Sequence, residues 1–139
     1  MKNIYFTEEV SIGGSLTCPC GCGAKLSDIT LSALNTLREM YGSPIYTEQG
    51  ATCVEYSVKK VGRSAGSTHI DNGDGSLAID IKKKTFKSKA DYFHFLSCAY
   101  QAGFMGFGQG IGWFDIHKKD KRLHIDMRET NDIVTWVYY

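Results

Sequence analysis

No apolar run in this chain approaches the roughly 20 residues needed to cross a bilayer as a helix, so membrane insertion is not expected. Charge of one sign is lacking too. Sixteen Lys and Arg against 15 Asp and Glu leave a net +1, which gives no argument for a nucleic-acid partner. The opening residues Met1-Lys2-Asn3-Ile4-Tyr5 lack the apolar stretch of a secretory signal. Synthesis in a cytoplasm is therefore expected, with later release toward any extracellular target. There is no internal repeat, no low-complexity tract and no linker, and 139 residues suit a single domain, 1–139, expected to be monomeric. The five cysteines include no C-x-x-C pair, and an odd count excludes a fully paired disulfide framework. Cys18, Cys20 and Cys22 crowd into one short stretch, and thiolates suit zinc, but no fourth ligand stands out. A Gly-rich loop with reduced thiols is the expectation there, with Cys53 and Cys98 in segments that read as core.

What is present is a set of clear local signals. Ile29, Leu34, Leu37 and Tyr41, widened by Leu31 and Met40, fall at helical spacing and predict a helix over 28–41. Ser27 or Asp28 can cap its start, and Gly42 can end it ahead of Pro44. A second helix is predicted over 89–102, between the S-x-x-D pair Ser88 and Asp91 and the stop at Gly103. Residues 52–58 alternate and predict a strand, and 62–75 reads as a polar, Gly-rich loop. Residues 77–81 alternate again, with Asp80 on the polar face. Residues 111–117 and 122–128 read as a β-hairpin in which Asp115 faces His124 and His117 faces Arg122. Leu123, Ile125 and Met127 then enter the core, while Arg122, His124, Asp126 and Arg128 share the other face. Residues 133–139, apolar and aromatic, predict a last strand paired into the sheet.

A catalytic zinc ion commonly takes three protein ligands and leaves one position open. His69 in the polar loop, Asp80 inside an apolar strand and His124 on the polar hairpin face are residues of the right type. An aspartate between Ile79 and Ile81 is costly unless something pairs it. Against this stand an Asp exposed on an edge strand and a merely solvated loop histidine.

Three motifs weigh on that choice. Ser67-Thr68-His69 followed by Ala78-Ile79-Asp80-Ile81 resembles the S-x-H…A-x-D-I signature of the zinc DD-peptidases. Gly110-Ile111-Gly112-Trp113-Phe114, then Leu123-His124-Ile125-Asp126-Met127-Arg128, resembles the closing element of that family. CPCGCG and LSALNTLREMYGSPI resemble the segment that precedes the catalytic part in its phage and bacterial branch. The likeness runs in order along nearly the whole chain. It implies an α+β fold of hedgehog/DD-peptidase type, with an antiparallel sheet and helices packed on one side. It implies one catalytic Zn²⁺ on His69, Asp80 and His124, and bacterial peptidoglycan as the partner. The activity implied is hydrolysis of stem-peptide bonds, as a D-Ala-D-Ala carboxypeptidase or an L-Ala-D-Glu endopeptidase, in a phage lytic enzyme. Ser67 matches the family serine that helps to hold substrate.

The chain also departs from the pattern. The family's acidic residue three positions before the third ligand is here Lys121, so the general base passes to His117, with Asp115 and Asp120 as alternates. The family arginine that grips a substrate carboxylate is absent, and Lys60, Arg63 or Arg128 is left to replace it. Asp126 is expected to orient His124 through its other ring nitrogen. The insertion Ile70–Ser76 is expected to loop out beside the site. A zinc-binding wall module of the same fold without catalysis is the alternative that these departures favour. A wall-docking protein with no metal at all is a more distant one.

Overall fold

The computed structural model describes residues 5–6, 16–62, 64, 66–110 and 122–138. Helix α1 spans Asp28–Tyr41 and α2 spans Lys89–Ala102, both as the sequence signals predict. Ser27 Oγ accepts the Thr30 N–H at the start of α1, and Ser88 Oγ accepts the Asp91 N–H at the start of α2. Gly42 and Gly103 close the two helices in the left-handed conformation, φ 78° and 113°. The buried face of α1 is Thr30, Ala33, Leu34, Leu37 and Tyr41. Ile29, expected in that stripe, lies off its edge and is 70% exposed. Among the described residues no helix is long and apolar enough to cross a membrane.

Five strands form one sheet in the order β1-β2-β4-β3-β5: β1 Thr47–Gln49, β2 Ala78–Lys82, β3 Gly106–Gly110, β4 Arg122–Asp126 and β5 Val134–Tyr138. The sheet is mixed, which corrects the all-antiparallel expectation: β3 and β5 run parallel. The chain leaves β4, passes over β3 and lands on its far edge still antiparallel to β4. That orientation makes β5 parallel to β3, and alternation within a strand carries no trace of it. The last strand is thus paired as expected, though Ile133 and Val137 beside and within it are exposed.

Two further expectations are corrected. Residues 52–58 do not form a strand. Thr52 makes one isolated bridge with Ile70, and the chain then coils into a π-helical turn, Tyr56–Val61, closed by Gly62 at φ 80°. Cys53 Sγ accepts the Tyr56 N–H at the start of this turn, a capping contact that the alternation of Val54, Tyr56 and Val58 does not disclose. The hairpin register is also different. Across β4, His124 stands opposite Asp80 of β2 and Gly108 of β3, and Asp126 opposite Ala78 and Gly106. The 111–117 arm of the expected hairpin, with Asp115 and His117, lies outside the described residues. The strand paired with β4 lies upstream, in a Gly-rich stretch with little intrinsic strand preference.

The pleat sorts the side chains. Ile79, Ile81, Phe107, Leu123 and Ile125 join Leu34, Leu37, Tyr41, Phe95 and Ala99 of the two helices in one core. The opposite pleat of β2 and β4 carries Asp80, His124 and Asp126. Leu34 of α1 is fully buried in this core. Leu34→Ala is expected to cost about 2–5 kcal/mol of folding stability in a urea titration. A cost near zero would mean that α1 does not seal this core.

Candidate metal centre

Three of the sequence-predicted ligands meet on the polar pleat. Asp80 and His124 are direct cross-strand neighbours, and the loop before β2 brings His69 over them. His69 Nε2 lies 3.0 Å from Asp80 Oδ1 and 3.1 Å from His124 Nδ1, and His124 Nδ1 lies 3.4 Å from Asp80 Oδ1. With metal–ligand bonds of about 2.0–2.1 Å, the edge of a tetrahedral zinc site is about 3.3 Å. The triangle therefore has the size such an ion needs. All three residues are buried, Asp80 at 3% exposure.

The outer hydrogen bonds decide where the protons are. His69 Nδ1 is 2.8 Å from the Gly50 carbonyl, which can only accept, so Nδ1 carries the hydrogen and Nε2 presents a lone pair. His124 Nε2 is 2.7 Å from Asp126 Oδ2, which assigns the hydrogen to Nε2 and the lone pair to Nδ1. Two imidazole lone pairs and one carboxylate oxygen thus converge, and a cation or a shared proton must lie among them. Burial alone would push Asp80 up, but the imidazoles of His124 and His69 outweigh it and hold its carboxyl far below the usual range. Burial opposes the charged form of His124, yet its hydrogen bonds to Asp126 and Asp80 and their charges raise it above an ordinary histidine.

Asp126 is fully buried and accepts the His124 Nε2 hydrogen. Burial would raise its pKa, but the Arg128 guanidinium and then His124 hold it well below the usual carboxylate range. Arg128 Nε and Nη2 bind its two oxygens at 2.8 and 2.7 Å, and the guanidinium lies 4.7 Å from the Trp136 ring centre. Arg128, a candidate to grip substrate, is thus engaged in ionising and fixing Asp126. Ser67 Oγ accepts the His69 backbone N–H at 3.2 Å, which shapes the loop that presents the ligand. Lys60 is exposed on the Tyr56–Val61 turn. Arg63, Asp115, His117 and Asp120 lie outside the described residues.

Several supporting residues escaped the sequence. Arg122 sits 3.8 Å from Asp80 Oδ2 and is half exposed. Its place on the same pleat as His124 was the available signal. Thr68 Oγ1 donates to Asp126 Oδ2 at 3.3 Å. Gly106 and Gly108 leave room that larger residues would fill. A Cβ on Gly106 would collide with Asp126 and Arg128, and one on Gly108 with the Trp136 indole. The Ile70–Ser76 insertion does not loop out freely. Asp71 accepts the N–H groups of Gly73, Gly75 and Lys25 at 2.8, 2.9 and 3.1 Å, and Ser76 is tied to Lys25 and Ser27. A Cβ on Gly75, at φ 91°, would strike the Ser27 backbone.

The proton inventory predicts opposite pH responses for the two forms. Without metal, the raised His124 pKa contributes stability that is fully present below the ordinary histidine pKa and is lost as pH rises through the raised value. With metal, His124 Nδ1 and His69 Nε2 must be unprotonated, so affinity falls on acidification. The gain in Tm from zinc over a chelator-treated sample is therefore expected to widen between about pH 5 and about pH 8. His124→Ala should reduce that gain, and a gain left unchanged by the substitution would remove this ligand assignment.

No protein-family model, no curated protein and no solved structure matches this chain.

Proposed function

We propose that this chain is a zinc peptidase that hydrolyses stem-peptide bonds of bacterial peptidoglycan, as a D-Ala-D-Ala carboxypeptidase or an L-Ala-D-Glu endopeptidase of the kind phages use in lysis. The observation that carries the metal part of this reading is the buried convergence of His69 Nε2, Asp80 Oδ1 and His124 Nδ1 with every outward-facing nitrogen already hydrogen-bonded. The substrate part rests on the likeness of the Ser67–His69, Ala78–Ile81 and Leu123–Arg128 motifs to the zinc DD-peptidases.

His69, Asp80 and His124 would hold the ion. Bound there, zinc supplies a Lewis acid that acidifies water to near neutrality and polarises an amide carbonyl. Asp126, kept ionised by Arg128, stabilises positive charge on the His124 ring and fixes its orientation. Arg122 stands beside Asp80 with half its surface open, suited to meet a substrate carboxylate or the negative charge that develops on the amide oxygen. It is a better-placed counterpart of the missing family arginine than Arg128, which already binds Asp126. His117 is the residue proposed to take the proton of the attacking water and return it to the leaving amine. It lies five residues before Arg122 in the sequence and is offered on the strength of the motif likeness alone.

Mass spectrometry of the soluble products from purified peptidoglycan, with and without chelator, tests the activity. Chelator-sensitive release of peptides or free D-Ala is expected, absent from His124→Ala. Bound zinc with no product across several wall types would instead favour the non-catalytic wall-binding module. His117→Ala is expected to lower kcat by about 10²–10⁴ with zinc retained. Arg122→Ala should act mainly on KM if it grips the ground-state carboxylate, and on kcat if it meets the developing charge.

A further inference from the structure

A second group of metal-ligating side chains lies outside the histidine centre. The loop Leu16–Ala24 folds against the Cys53 end of the Gly50–Cys53 stretch. The four sulfurs of Cys18, Cys20, Cys22 and Cys53 come within 4.8 Å of one another. Cys18 Sγ is 3.3 Å from Cys20 Sγ and 3.9 Å from Cys53 Sγ, and Cys20 Sγ is 3.7 Å from Cys53 Sγ. None of these cysteines is in a disulfide. With Zn–S bonds of about 2.3 Å, the edge of a tetrahedral tetrathiolate site is about 3.8 Å, close to the separations among Cys18, Cys20 and Cys53.

The surrounding backbone is shaped for the same purpose. The Cys53 N–H points at Cys18 Sγ and the Tyr56 N–H at Cys53 Sγ, both at 3.4 Å, contacts that favour thiolate sulfur. Gly21 and Gly23 take φ 80° and 90°, so the C-x-C-x-C run turns back on itself and aims its thiols to one side. The Cys18 N–H closes that turn on the Ala24 carbonyl at 2.9 Å. Weakly hydrogen-bonding neutral thiols supply little reason to gather four side chains from two separated segments. A divalent ion supplies a strong one.

We propose that Cys18, Cys20, Cys22 and Cys53 form a structural tetrathiolate zinc site that clamps the Leu16–Ala24 loop to the strap holding His69. The strap is short. The Gly50 carbonyl receives the His69 ring N–H, the Ala51 N–H reaches the Leu16 carbonyl, and the Thr52 N–H reaches the His69 carbonyl at 2.8 Å. Cys53 follows directly. An ion on Cys53 therefore fixes the segment that sets the tautomer and position of one histidine ligand. The site has all four positions filled by protein, so it has no place for substrate, and it stands whether or not the histidine centre is catalytic.

Cobalt reports the two centres separately, because only thiolate ligands give an intense sulfur-to-cobalt charge-transfer band in the near ultraviolet. The full chain, reduced and metal-free, is titrated with Co²⁺, and zinc is then measured by competition. The expected result is a strong charge-transfer band in the parent protein, unchanged in His124→Ala and in Cys98→Ser, and displaced by zinc. Cys20→Ser, at an exposed position, should weaken the band and cost one bound ion per chain while leaving the histidine-centred ion in place. The parent protein alone already decides the matter if a variant does not fold. A titration with no thiolate band, with all five thiols still open to an alkylating reagent at saturating metal, would overturn the proposal.

Discussion

The negative charge of Asp80 in the middle of the sheet is the constraint on which the rest depends. An ionised carboxylate removed from water costs several kcal/mol unless it is paired, and Asp80 is buried between Ile79 and Ile81 at the heart of the sheet. Its pairing comes from the cation or proton it shares with two imidazoles, each of which is held with its lone-pair nitrogen facing inward. Gly50 does this for His69, and Asp126 does it for His124. Asp126 raises the same difficulty one layer out, since it is itself fully buried. Arg128 answers it with two hydrogen bonds and carries the charge toward the surface, where the guanidinium stacks on Trp136. The chain Asp80–His124–Asp126–Arg128 thus runs from the sheet interior toward its edge, ending on a cation.

Accommodating this polar layer shapes the neighbouring elements. β3 carries glycine at positions 106 and 108, directly opposite Asp126 and His124, because the volume over those residues is taken by Arg128 and Trp136. The price is a strand with weak intrinsic preference, held in place by β4 on one edge and β5 on the other. On the loop side, Asp71 and Ser76 tie the segment between His69 and Asp80 to the residues that lead into α1, so the long spacing does not leave either end loose. The cysteine loop braces the third side of the site through the Gly50–Cys53 strap. Every element that touches the histidine centre is therefore fastened to a second, independent part of the fold, as a preorganised site requires.

Local chemistry was readable where a single element decided the outcome. Both helices were legible to their terminal residues, since Ser27, Gly42, Ser88 and Gly103 act within one turn of the chain. The division of β4 into core residues Leu123 and Ile125 and polar residues His124 and Asp126 was legible as well, because the pleat alternates strictly. Residues 52–58 were misread because period-two alternation cannot tell a strand from a short coil capped by a thiol, as Cys53 caps the turn at Tyr56. Gly106–Gly110 was overlooked as a strand because its glycines serve the volume of Trp136 and Arg128, which no propensity records.

By itself, then, the sequence singled out the residues that meet at the candidate centre: His69, Asp80, His124 and Asp126 are identifiable from residue type, alternation and motif likeness. Only the tertiary structure decided how they combine. It set the cross-strand register that puts Asp80 opposite His124, the parallel pairing of β5, the engagement of Arg128 with Asp126, the exposure of Arg122 beside the ligands and the arrival of Cys53 at the other three thiols. The physical reason is the range of the forces involved. Caps and pleats act over a few residues and leave their mark in local order. Registers, ligand triangles and volume exclusion arise between segments tens of residues apart, where only the folded packing fixes which partner each group meets.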